Sequence, residues 1–130
     1  MRHRVLLMIT SLLSILLFSC HWVDEVSRGM ESGRVSGLFG VLILVVWLYG
    51  ALVLAERRSG YIIMLLGSIL GLVALVLHMQ GAGLVGGRIA VNSSGAFFWV
   101  WTLIALGVSS TFSGILSARG LWSLLRGQSR

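Results

Sequence analysis

The residues of this chain whose types and spacing suit chemistry are two histidines and a pair of carboxylates. In His21-Trp22-Val23-Asp24-Glu25-Val26-Ser27-Arg28-Gly29, helical geometry puts His21, Asp24, Glu25 and Arg28 at i, i+3, i+4 and i+7, on one face. Gly29 then fits as the helix C-cap. The second histidine is His78, at the end of a later apolar run; His3 lies at the opposite end of the first run and is out of reach. Imidazoles backed by carboxylates suit a transition metal such as Zn, Cu or Fe. Two histidines from different helices suit a haem, and a histidine beside a carboxylate can relay protons. The plainer reading is structural. In it Asp24, Glu25 and Arg28 form a solvated ion-pair cluster that ends the first helix, with His21 bonded to a carboxylate. Polar residues at a membrane surface cost little compared with those at its centre.

The elements that must position these residues are apolar. The 130-residue chain is 57% hydrophobic and 11% charged, with mean hydropathy +0.98. A water-soluble domain carries about a quarter charged residues. Four apolar runs, residues 5–22, 37–55, 61–79 and 96–118, each approach the roughly 20 residues that cross about 30 Å of hydrocarbon. None alternates with period two as a membrane barrel strand does. The expected fold is therefore all-α, one domain over residues 1–130, an integral membrane antiparallel four-helix bundle. Glu56-Arg57-Arg58-Ser59-Gly60 is a tight connection that makes the second and third helices a hairpin. Counting along the helices, His21 and His78 reach similar depths on the same side.

The net charge of +6 comes from arginine alone. The arginines sit singly or in pairs at the ends of apolar runs, which marks topology rather than nucleic-acid binding. With the N-terminus inside, Arg2, Arg4, Arg57, Arg58, Arg119, Arg126 and Arg130 are cytoplasmic, while Arg28, Arg34 and Arg88 are outside. Positive residues are retained inside during insertion, so both ends are expected in the cytoplasm. Residues 119–130 read as an interfacial tail, with Trp122 at headgroup level. Trp22 and Tyr61 read as further belt residues.

The single cysteine, Cys20, permits no internal disulfide and excludes a Cys-x-x-Cys redox motif. Arg2 and Arg4, an apolar stretch and Leu17-Phe18-Ser19-Cys20 also fit a lipoprotein signal, whose cleavage would leave three spans. Small residues offer helix-packing faces: Gly67 and Gly71 on the third helix, Gly107 and Gly114 on the fourth. These can meet each other or a second copy. Ser110, Ser113 and Ser117 form a stripe read as bonding to carbonyls one turn back. Trp99 and Trp101 are read as packing before an aromatic ligand site. Gly81-Ala82-Gly83-Leu84-Val85-Gly86 matches a dinucleotide fingerprint but lacks its strand and acid, and Asn92-Ser93-Ser94 is a glycosylation sequon.

The His21-x-x-Asp24-Glu25-x-x-Arg28-Gly29 segment, followed by three further spans, resembles small four-helix bacterial membrane proteins without assigned function. The size is more distantly similar to DoxX-like and small multidrug-resistance proteins. The resemblance implies the bacterial inner membrane and no activity. The drug exporters depend on a glutamate inside the first span, and residues 5–22 contain no acid. Three functions compete. The favoured one is a structural or accessory subunit acting through lipid and protein packing, as a homo-oligomer or in a larger membrane complex. The second is a haem- or metal-binding redox protein using His21, Asp24, Glu25, Arg28 and His78. The third is an oligomeric transporter or channel, disfavoured because no ionisable group lies mid-membrane. No resident cofactor, catalytic residue or nucleic-acid partner is expected.

Overall fold

The computed structural model describes residues 2–27, 34–79 and 95–127. Arg28, Gly29, the glycine-rich stretch 81–86 and the sequon 92–94 lie outside the described residues. Four helices make up the fold: α1 (Arg2–Ser27), α2 (Arg34–Leu52), α3 (Arg58–Met79) and α4 (Ala96–Leu125). No strand occurs among the described residues. Three helices are long and apolar enough to cross a membrane: His3–Ser27, Arg58–His78 and Phe97–Leu125. The apolar part of α2, Gly37–Leu52, is shorter than the run 37–55 expected from composition. The helix stops at Leu52, and residues 53–57 form the turn. There the Arg57 amide donates to the Leu54 carbonyl at 2.8 Å, and Gly60 lies so close to that carbonyl that a Cβ would strike it.

The interior is more polar than the exterior. Ser11, Ser14, Ser110, Ser113 and Ser117 are wholly buried, whereas Leu38, Phe97 and Leu77 point outward with 62–81% of their surface exposed. In water that arrangement would sacrifice the hydrophobic effect; against lipid tails it costs nothing, and polar groups gain by turning to each other.

Side-chain contacts fix the directions. Ser11 meets Ser113 at 2.8 Å, and the Ser14 hydroxyl donates to Ser109 at 3.0 Å, so α1 and α4 run antiparallel. Gly71 faces Ser110 and Gly114 faces Ser68, so α3 and α4 do too. Trp47 lies over Gly67 and Ile63 over Gly50, pairing α2 with α3. Thus Gly71, Gly107 and Gly114 sit on the α3–α4 seam, while Gly67 makes room for an α2 indole. The stripe of Ser110, Ser113 and Ser117 differs from the expected back-bonding: Ser113 reaches across to α1, and the buried Ser110 and Ser117 hydroxyls make no hydrogen bond. The Ser109 hydroxyl donates back to Leu106 at 3.1 Å and also accepts from Ser14.

Two expectations at the end of the fold that holds the start of α1 change. Residues 119–125 are no separate interfacial tail but the last turns of α4. Gly120 is helical and gives the Tyr61 ring its seat. Tyr61 is accordingly buried rather than a belt residue. Trp122 is exposed, with the Arg126 guanidinium 4.4 Å above its ring. Arg4 of α1 pairs with Glu56 of the α2–α3 turn, which places the two on one side of the fold.

Candidate metal centre

At the opposite end, α1 runs on past its apolar segment to Ser27 and carries His21 and Glu25 on adjacent turns. Parallel to it, α3 carries His78 in its last turn. His21, Glu25 and His78 each present a ligand atom, and the three atoms lie within 4.8 Å of one another. Of the residues singled out in the sequence, these three converge. Asp24 is not among them, since one residue turns the helix by about 100°. Arg28 lies outside the described residues.

The hydrogen bonds define which nitrogens are free to bind. His78 Nδ1 is 2.6 Å from the Ala74 carbonyl, which can only accept, so Nδ1 carries a proton. Its Nε2 is 2.5 Å from Glu25 Oε1, with one proton held between them. His21 Nδ1 lies 3.4 Å from Thr102 Oγ1. That hydroxyl spends its own proton on the carbonyls of Phe98 (2.9 Å) and Trp99 (3.0 Å). It therefore accepts from His21, which puts the His21 proton on Nδ1. The Nε2 lone pair is left without a hydrogen-bond partner, 3.9 Å from Glu25 Oε1. His21 is 2% exposed.

Both imidazoles thus turn Nδ1 outward to oxygen acceptors and Nε2 inward to one carboxylate. That is the second-shell arrangement that orients histidines on a metal. Ligand atoms about 2.1 Å from a tetrahedral ion sit about 3.4 Å apart. An ion would part His78 from Glu25 by about 0.9 Å and draw His21 in by about 0.5 Å, movements within the range of side-chain rotation. Trp99, 2% exposed, packs against both rings, with centroids 5.2 Å from His21 and 5.6 Å from His78.

Sequence reasoning missed Thr102 and the Ala74 carbonyl. Thr102 follows Trp99 by three residues and so shares its face, but nothing in the pattern says that this face meets His21. No family model matches this chain, and neither does any curated protein or solved structure.

Proposed function

We propose that this chain is an integral membrane protein, an antiparallel four-helix bundle, that holds one divalent transition metal at its outer end through His21, Glu25 and His78. The observation that carries this reading is the buried His21 Nε2, unpartnered and facing the carboxylate that already engages His78. A buried nitrogen without a partner costs on the order of 1–3 kcal/mol, and an ion would remove that cost. Two imidazoles and one carboxylate suit Zn or Fe(II) and leave coordination positions open. Haem fits less well. Axial imidazoles must face each other across a flat macrocycle. Here the rings meet edge to face with centroids 5.2 Å apart and share one carboxylate.

The topology in this proposal has four crossings with both ends cytoplasmic, in a bacterial inner membrane, as the arginine distribution and the resemblance drawn from the His21 segment suggest. The apolar part of α2, Gly37–Leu52, reaches about 24 Å, and Arg34–Ser36 lengthen the helix to about 28 Å, against a hydrocarbon thickness of about 30 Å.

The test is metal content of the protein purified in mild detergent, followed by Co²⁺ titration of the apo form. One ion per chain, with a visible d–d spectrum lost in His21→Ala and in His78→Ala, is the expected result. Because the ion displaces the proton between His78 and Glu25, affinity should fall as pH falls. A featureless titration would sink the reading. It would leave the accessory subunit, a reading favoured by the fact that Glu25 and His78 already satisfy each other.

A further inference from the structure

The three ligand residues also line a cavity. It has a volume of about 430 Å³ and is walled otherwise by apolar side chains of α1, α2 and α3, including Phe18, Trp22, Phe39 and Leu77. A second cavity of about 380 Å³ continues it down the α2–α3 face past Trp47 and Leu66. The two share Ile43 and Leu70 as walls. From Ile63 to His78 is fifteen residues of α3, so the joint groove is about 22 Å long. Its flank is open to the surroundings of the helices: Leu42 and Leu66 are more than half exposed. In the proposed bilayer those surroundings are lipid.

We infer that the metal centre takes a single-chain carboxylate, a free fatty acid, from the bilayer, with its head on the ion and its tail in the groove between α2 and α3. The inference rests on the metal reading above. Charge selects the head. Among its ligands, a divalent ion with two neutral imidazoles and one carboxylate keeps a net charge of +1; Asp24, whose charge also acts on His21, stands outside the ligand set and fills no open position. One monoanionic oxygen ligand cancels it, and the open coordination positions accept it. The walls select the tail, because a polar body would lose its hydrogen bonds there.

The experiment uses the full chain in maltoside detergent, loaded with Co²⁺ and titrated with dodecanoate and, separately, acetate. The d–d bands report ligation of the ion in either case. Dodecanoate should perturb them at a concentration at least about tenfold lower than acetate, since burial of its methylenes adds to binding. Leu70→Trp fills the junction of the two cavities about 12 Å along α3 from His78. It should keep the Co²⁺ spectrum and the acetate response while cutting the preference for dodecanoate to about twofold. Val73→Trp, nearer the site, should do the same, and serves if Leu70→Trp does not fold. Because micelles concentrate dodecanoate equally for all variants, the comparison isolates the groove. Equal response to both acids, or a preference that survives in both tryptophan variants, overturns the inference while leaving the metal site standing. Absence of any Co²⁺ spectrum in the parent chain overturns the metal reading and this inference together.

Discussion

The two sides of this fold are held by different means. On the α4 side, helices approach closely and bond: hydroxyls cross from Ser11 to Ser113 and from Ser14 to Ser109, and Gly71 and Gly114 let α3 settle onto α4. On the α2 side, only Trp47, Gly50 and Ala51 are buried among the described side chains of α2, and an open groove separates much of it from α3. In the proposed bilayer, a medium as apolar as the side chains themselves, burial of leucine holds nothing together; close backbone approach and hydrogen bonds do. The tight side therefore fixes His21 and Thr102 within the protein. The loose side leaves the space that a ligand can enter.

Substitutions can sharpen or break this contrast. The largest effect is expected at the centre itself: His21→Ala should lower Co²⁺ affinity by at least about 100-fold, measured by competition with a chelator, because a ligand outweighs any supporting residue. Thr102→Val removes the acceptor that sets the His21 tautomer. It should cost about 10- to 100-fold in the same measurement, with an unfolding midpoint much closer to that of the parent. Gly71→Val drives a methyl-bearing carbon into Ser110 on the tight side. Loss of about 1–3 kcal/mol is expected in detergent unfolding. A double-mutant cycle of Ser11→Ala and Ser113→Ala should return a coupling of about 0.6 kcal/mol, the common value for hydroxyls between membrane helices. The smallest effect belongs to the loose side: Leu42→Ala, exposed on α2, should stay within about 0.5 kcal/mol of the parent. If Leu42→Ala destabilised more than Gly71→Val, the division into tight and loose sides would be wrong.

Part of this was readable from the chain alone. The apolar runs set the number of helices, and Glu56-Arg57-Arg58-Ser59-Gly60 marks the hairpin, but the turn itself lies at 53–57 and Arg58, Ser59 and Gly60 already belong to α3. His21 and Glu25 share a face because they are four residues apart, and depth counting brings His78 level with them. The rest depended on which helix neighbours which. Thr102 has no pattern that points to His21, and Asp24 looked equivalent to Glu25 until α3 was seen to lie on the Glu25 flank. Tyr61 read as a belt residue because its seat, Gly120, is 59 residues away. Serines at helical spacing read as self-satisfied because α1 carries its own matching pair far off in sequence.

The order in which the contacts can form also matters. Trp47 meets Gly67 and Ile63 meets Gly50 across one short turn, so α2 and α3 can pair as soon as both exist. The seam between Ser11 and Ser113 joins residues 102 apart and must wait until α4 has been made. Thr102 and Trp99 arrive on that same helix. During synthesis, then, His21 stays uncovered by Thr102 and Trp99 until α4 has been made, and the pair of histidines acquires that packing only at the final step of assembly.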